Sequence, residues 1–295
     1  MPDGAIVYNG MTAEQLAAGF NVASTVPDLP AYQAWGAEQS KRVSAAMPNE
    51  RNVPYGEADI QKLDIFAPGG DKNANAPVLI DIHGGGWTAG SKNGRSFTAE
   101  AIVPKGVVWA PIDYGLAPAY KLDKIVDHVR QAVAWVYKNI KAHGGNPNRI
   151  FVSGNSAGGH LTATLLQPGW HAKYGIPEDA IKGACAMSGV YDMHAQRLAA
   201  GGPNEQLRMD EAEAQRNSPI FNLPKTGMPL IVAWGEPELP AFKKQGADFV
   251  KAWRAAGHSC KEIVVPGAHH YAMSREFANK DSELHQAIMA MIGVK

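Results

Sequence analysis

The rhythm of apolar and polar positions changes at about residue 50. Before it, "MTAEQLAAGF" and "DLPAYQAWGAEQSKRVSAAM" hold many helix formers and predict polar helices, with Pro27 and Pro30 breaking them apart. After it, "IQKLDIF" (60–66) alternates as a half-buried strand does. "PVLIDIHGG" (77–85) is a near-continuous apolar run stopped by glycines, as in a strand covered on both faces. Further strands are predicted over 106–114, 149–154, 181–189, 228–235 and 261–267. Between them, Ile125, Val129, Val133, Val136 and Ile140 recur at helical spacing and paint one apolar stripe. Residues 157–167 form a second helix, Phe242, Phe249 and Trp253 mark a third, and 283–292 closes the chain with a fourth, while 190–225 is polar and irregular. This alternation predicts an α/β fold, with a mostly parallel central sheet and helices on both faces. The expected division is an N-terminal helical segment, 1–50, acting as a small cap, and one domain over 51–295.

Sheets of this kind place their sites beyond the carboxyl ends of the strands. Four strands are followed there by "HGGGW", "GNSAGG", "GEPE" and "PGAHH". Gly154-Asn155-Ser156-Ala157-Gly158 fits G-x-S-x-G between a strand and a helix, a turn so tight that its serine projects from the sheet edge and its neighbours must be small. A serine hydroxyl needs a base. Of the ten histidines, most fall on helices or in loops remote from the serine, whereas His269 and His270 follow the last strand, from which a base can reach back to Ser156. The base in turn needs an orienting carboxylate. Glu236 sits almost on its strand, Glu238 lies just before a helix with its carboxylate free to turn toward the histidine, and Asp192, after the preceding strand, is a fallback; Glu238 is preferred. In "HGGGW", the glycines let backbone N–H groups converge on a developing oxyanion. Gly85 and Gly86, with Ala157 beside the serine, are the expected donors, and His83 is expected to fix the loop by hydrogen bonding. The glycine loop lacks both phosphate-binding patterns.

With these loops in order, the chain resembles the α/β-hydrolase superfamily, and within it the hormone-sensitive-lipase-like esterases and kynurenine (aryl) formamidases, over roughly residues 55 to 292. "HGGGW" and "GNSAGGHL" are similar to both branches. "IDYGLAP" (112–118) is similar to the D-Y-R-L-A-P segment of the lipase-like branch, with Gly115 in place of arginine. "GEPELPAFKKQGADF" is similar to the formamidase-like Gly-x-x-Asp-(Leu)-Pro-Glu-Phe…Gln segment, which sets Glu238 where most members carry Asp. "PGAHHY" is similar to Gly-x-Asn-His-Phe, which sets His270 on the catalytic position and His269 where Asn is usual. The resemblance implies an α/β-hydrolase fold and a serine hydrolase with the triad Ser156, Glu238 and His270, using no metal and no cofactor.

Aromatic residues near the loops, Trp87 and Tyr114 first and then Trp109 and Trp170, are candidates for the substrate pocket. No long lid insertion is visible, so the expected substrate is a small or aryl carboxylic ester. An arylformamidase-like amidase cleaving a C–N bond shares every catalytic part and stays open, and a non-catalytic ligand-binding protein on the same fold is the third reading.

Composition narrows the partners. The 28 basic and 28 acidic residues cancel and form no basic run, which argues against nucleic acid or an anionic membrane surface. No run approaches the apolar length of a membrane span. Two cysteines, Cys185 and Cys260, in strand or strand-edge positions make no disulfide framework. "MPDGAIVYNG" has no basic and then apolar leader, so a cytoplasmic enzyme is expected. Its partner would be a small-molecule ester or amide, and a homo-oligomer is left open.

Overall fold

The computed structural model describes residues 4–26, 28–69 and 75–294. Its sheet has eight strands: β1 (Glu50–Pro54), β2 (Lys62–Ile65), β3 (Ala76–Ile82), β4 (Val108–Ile112), β5 (Gly145–Asn155), β6 (Ile181–Met187), β7 (Leu230–Gly235) and β8 (Cys260–Val265). They lie side by side in the order β8-β7-β6-β5-β3-β4-β2-β1. Every pair is parallel except those made by β2, which runs antiparallel to both β1 and β4.

Every residue of β3 is buried because the sheet is covered on both sides. Successive side chains alternate between two cores: Ile80 and Val152 face one, Leu79 and Phe151 the other. The first core is closed by α3 (Leu122–Asn139), α4 (Ala157–Thr164) and α5 (Pro240–Ala255). Ile125, Val129, Val133 and Val136 are buried along α3, as their spacing predicts. The second core is closed by α6 (Glu283–Ile292) and the short helix Met273–Ala278, whose Phe277 ring packs on Trp109 at 5.8 Å. Each fully buried Val, Leu or Ile side chain stabilises this arrangement by about 1.5–3 kcal/mol relative to exposure.

Ahead of the sheet stand two helices, α1 (Ala13–Phe20) and α2 (Leu29–Ala46). Pro30 opens α2 rather than breaking it. It occupies the first turn, where its missing N–H has no partner to lose, behind an Asp28 cap that accepts from Ala31 N at 3.3 Å. Pro27 lies outside the described residues. Residues 6–12 are not helical: Ile6–Tyr8 and Met11–Thr12 form a hairpin across Asn9-Gly10, both at positive φ, the Asn-Gly pair that suits such turns. Strand β1 also escapes the periodicity reading, because it is an edge strand with little apolar surface to register. The stretch 190–225 contains three short helices, His194–Leu198, Asn204–Leu207 and Glu211–Arg216.

The N-terminal helices lie against the loops beyond the strand ends. Phe20 meets Phe242 edge-on at 5.2 Å, and the Arg275 guanidinium sits 3.5 Å from the Tyr32 ring and 3.9 Å from that of Trp35. No helix among the described residues is long and apolar enough to cross a membrane.

Candidate active site

Register brings the site loops to one edge. Ile82 lies opposite Gly154, and Asn155 opposite Met187, so β3, β5 and β6 end together. Strand β5 stops at Asn155 and α4 starts at Ala157, leaving one residue for the reversal. That residue is Ser156, at φ +61° and ψ −122°, a conformation costly for any residue with a Cβ. The surrounding glycines are explained by close approach: a Cβ on Gly154 would stand 2.3 Å from Gly158 O, and one on Gly158 1.9 Å from Ile82 O. Ser156 N–H is tied to Met187 O at 2.9 Å, and the side chain is left half-exposed among buried neighbours.

His270 Nδ1 lies 2.8 Å from Glu238 Oε2. The other carboxylate oxygen accepts from Ser188 Oγ–H at 2.5 Å and Gly235 N–H at 2.8 Å. Glu238 is buried, and a buried carboxylate is tolerable only with such charge-assisted donors around it. With Nδ1–H donating to Glu238, Nε2 is the free acceptor; it is buried and has no hydrogen-bond partner among the described residues. Ser156 and His270 line the same cavity, of about 560 Å³.

The other candidates for acid and base point elsewhere. Glu236 is exposed, 3.4 Å from Gly267 N. Asp192 accepts the Tyr8 hydroxyl at 2.6 Å and His194 N–H at 3.0 Å. His269 Nδ1 accepts from Ala272 N–H at 3.2 Å.

Beside the serine, Gly85 at φ +123° and Gly86 at φ +59° shape the loop after β3. Their N–H groups and that of Ala157 donate to no acceptor among the described residues. Gly84 permits the approach, since its Cβ would stand 2.8 Å from Asn155 O and 3.1 Å from Ser156 Cβ. The loop is held from behind by His83, whose Nδ1–H donates to Gly84 O at 2.7 Å and whose carbonyl accepts the Tyr114 hydroxyl at 2.7 Å. Burial pulls the His83 pKa down.

Tyr114 therefore does not contact the cavity. It is fully buried, its ring stacked on His83 at 4.2 Å, because β4 ends one strand farther from the serine than β3 does. Trp109 and Trp170 are likewise core residues outside the cavity wall, while Trp87 lines it. The apolar wall is completed by Phe20, Val22, Val190 and Phe242, none of which the sequence reading assigned to the pocket. Phe242 carries a legible signal, the proline-aromatic step after Glu238. Phe20 and Val22 carry none, for they arrive from the far end of the chain. Two polar supports were also missed. Ser188 holds Glu238, and Asn155 Nδ2–H donates to His270 O at 3.2 Å, tying the serine turn to the histidine loop.

Under the loop, Arg95 Nε–H donates to Asp81 Oδ2 at 2.6 Å and its Nη2–H to Oδ1 at 3.2 Å, while Ser153 Oγ–H donates to Oδ1 at 3.1 Å. This buried two-point pair anchors the segment after the glycines to β3 and β5.

His160, on α4, is fully buried between the Trp87 indole N–H, which donates to its Nδ1 at 3.1 Å, and Asn217 O, which accepts from Nε2–H at 2.8 Å. Burial lowers its pKa from 6.5 to about 4. The unfolded chain takes up this proton near pH 6.5 and the folded chain only near pH 4. The stability it contributes is complete above pH 6.5 and is lost as pH falls through that window, at about 1.4 kcal/mol per unit. His160→Gln keeps an acceptor for Trp87 and a donor for Asn217, so its melting temperature should fall less than wild type between pH 7 and 4.5. Parallel curves by circular dichroism would refute this.

The BD-FAE family model matches residues 63–238. The chain is 33% identical over 248 residues to the kynurenine formamidase of Salmo salar, covering 82% of this chain and 81% of that one. It is 29% identical over 242 residues to esterase LipC of Mycobacterium tuberculosis, covering 75% of this chain and 59% of that one. A crystal structure from Silicibacter superimposes with a TM-score of 0.81 at 25% identity, over 94% of this chain and 99% of that one.

Proposed function

Because the chain belongs to the BD-FAE family, within the esterase and formamidase group of α/β-hydrolases, and is a hydrolase, we propose that it works as a serine carboxylesterase on small or aryl carboxylic esters. The observation that carries this reading is the Glu238–His270 pair at 2.8 Å, its free Nε2 buried at the cavity that Ser156 lines.

The chemistry follows from the parts. Ser156 Oγ attacks the acyl carbon while His270 Nε2 takes its proton, and Glu238 stabilises the resulting imidazolium through Nδ1–H. Negative charge gathers on the carbonyl oxygen, to which the N–H groups of Gly85, Gly86 and Ala157 are free to donate. Collapse expels the alkoxide or phenoxide, which leaves with the proton from His270. Water, deprotonated by the same nitrogen, then attacks the acyl-serine, and the acid departs as the Ser156 hydroxyl reforms. None of these steps calls for a metal or cofactor.

A cavity of about 560 Å³ with a mostly apolar wall suits a small or single-ring substrate rather than a long-chain lipid. Phe20 and Val22 reach it from the N-terminal segment, which on this reading is the cap over an α/β-hydrolase domain. Two free cysteines, one buried, suit the cytoplasm. The similarity to the Salmo salar kynurenine formamidase supports a second reading, cleavage of an aryl N-formyl bond by the same residues.

Purified protein assayed on p-nitrophenyl acetate and N-formylkynurenine separates the two. The ester should give the higher kcat/KM, and the reverse ratio selects the formamidase. An organophosphonate should add one phosphonyl group, mapping by mass spectrometry to the Ser156 peptide. Turnover of neither substrate, with no labelling, overturns both readings.

A further inference from the structure

The wall of the cavity holds one guanidinium and, among the described residues, no carboxylate. The guanidinium is that of Arg95, whose side chain is only 9% exposed. Asp81, fully buried beneath it, takes one edge of the fork, Nε–H at 2.6 Å and Nη2–H at 3.2 Å. The guanidinium is planar, so the third nitrogen, Nη1, lies on the edge turned away from Asp81. Nη1 has no protein hydrogen-bond partner among the described residues. Unlike the unpartnered Arg130 Nε and Arg275 Nε, which are shut off from solvent, it keeps accessible surface. A guanidinium has more donors than one carboxylate can use, and here the unused ones belong to a residue of the cavity wall.

Lys92, on the same loop, shows what a cation that serves only the fold looks like. It is 1% exposed, and its Nζ is spent on Asp64 Oδ1 at 2.9 Å and Asn52 Oδ1 at 2.8 Å. Arg95 is as firmly placed but less fully used. Its guanidinium carbon lies 5.9 Å from the Phe97 ring, whose backbone N–H donates to Ser40 Oγ at 3.2 Å and whose ring meets Trp35 at 5.5 Å. These contacts fasten the segment to α2, which brings Gln33 to the cavity, and Gln33, Tyr271 and Ser274 add neutral hydrogen-bonding groups to the same wall. A fixed cation set beside Phe20, Val22 and Phe242 is the arrangement by which a pocket orients a ligand that is apolar in body and charged at one point.

Resting on the serine-hydrolase reading above, we infer that Arg95 is a specificity-determining residue, its Nη1 binding a carboxylate that the substrate carries away from the scissile carbonyl. Asp81 keeps its own edge of the guanidinium and the Ser153 hydroxyl at 3.1 Å, so the ligand displaces nothing. The cation then bridges two carboxylates through separate N–H groups. A carboxylate is favoured over a neutral oxygen because its hydrogen bond is charged at both ends and no acidic side chain lines the wall to repel it. A substrate without that group fills the same cavity but leaves Nη1 unused, and a site built around a hydrogen bond discriminates against the ligand that lacks it.

The test compares aryl acetates that carry a carboxylate, a carboxamide or a methyl group at the meta or para position, each rate normalised to alkaline hydrolysis. At the better of the two positions, wild type should favour the carboxylate over the methyl analogue in kcat/KM by about tenfold to a hundredfold, the span of one charged hydrogen bond, with the difference in KM. Arg95→Lys keeps a cation for Asp81 but has a single nitrogen, which Asp81 claims, so the ratio should fall to about one. Because Arg95 also anchors the glycine loop, both esters slow together in this variant, and the ratio is the readout: a residue that only anchors the loop would leave it unchanged. Should the lysine variant fail to fold, Arg95→Gln combined with Asp81→Asn removes both charges while keeping a buried hydrogen bond, and the ratio should again fall to about one. No preference for the carboxylate at either position in wild type overturns the inference, as does a preference that survives these variants. A carboxamide that matches the carboxylate overturns it too, since Nη1 would then select a neutral oxygen. Activity retained by Ser156→Ala would instead overturn the underlying serine reading, which the Arg95 ratios leave untouched.

Discussion

Ser156→Ala is expected to lower kcat on p-nitrophenyl acetate by roughly four to six orders of magnitude, the range seen when a serine hydrolase loses its nucleophile. The loss should fall on kcat, because the cavity wall and the three free N–H groups are untouched and substrate still binds. Residual activity should come from the oxyanion donors alone, without an acyl-enzyme. The fold should survive: Ser156 Oγ is not needed by any protein partner, the backbone tie from Ser156 N to Met187 O is kept, and alanine tolerates φ +61° about as poorly as serine does. A melting curve superimposable on that of wild type, with turnover gone, is the expected pair of results. An alanine variant that keeps more than about a tenth of wild-type kcat would remove Ser156 from the mechanism.

Glu238→Gln should cost nearly as much, about 10⁴-fold in kcat at neutral pH. Glu238 Oε1 is committed to two donors, Ser188 Oγ–H and Gly235 N–H, and Oε2 to His270 Nδ1. A glutamine that keeps its oxygen toward Ser188 and Gly235 turns its NH₂ toward Nδ1, which must then accept. The proton moves to Nε2, and the nitrogen facing the cavity is no longer a base. The opposite flip keeps the histidine tautomer but sets an NH₂ against Gly235 N–H, leaving a buried donor unpaired at a cost of about 1–3 kcal/mol. Either way the imidazolium loses its counter-charge. Glu238→Asp is the informative companion: its carboxylate is one methylene shorter and cannot meet all three donors from the same backbone position, so it should fall between wild type and the amide variant. Steady-state kinetics on the three proteins decide the matter, and a glutamine variant within tenfold of wild type would show that Glu238 does not orient the base.

Much of this site was legible because its chemistry is local. The serine turn needs small residues wherever strand and helix approach, so Gly154, Gly158 and Gly84 are forced by contacts that any chain making this turn would meet. The glycines after β3 announce a backbone that must turn with its N–H groups free. Position after a strand points to Glu238 and to the His269–His270 pair, family resemblance selects His270 from that pair, and the structure brings Glu238 and His270 together while Glu236, Asp192 and His269 bind other groups.

Where the reading failed, long-range packing was responsible. Tyr114 follows a strand and precedes a loop, as a pocket residue would, yet it stacks on His83 and spends its hydroxyl on the His83 carbonyl. Only the order of strands in the sheet tells that β4 stands one place farther from the serine. Edge strand β1 left no alternation because so little of it is covered.

Periodicity and turn chemistry alone were enough for seven of the eight strands of the sheet, all but the edge strand β1, and for the order serine, acid, histidine along the chain. Both depend on contacts within a few residues: a strand buried on two faces must be apolar throughout, and a one-residue reversal must be flanked by glycine. The composition of the cavity wall lay beyond that reach. Phe20, Val22 and Gln196 share one cavity with Trp87 and Phe242 because α1 and the short helix His194–Leu198 fold over the strand ends. Which side chains share a wall depends on how those elements dock, a balance of burial summed over distant residues, and no short stretch of the chain carries that sum.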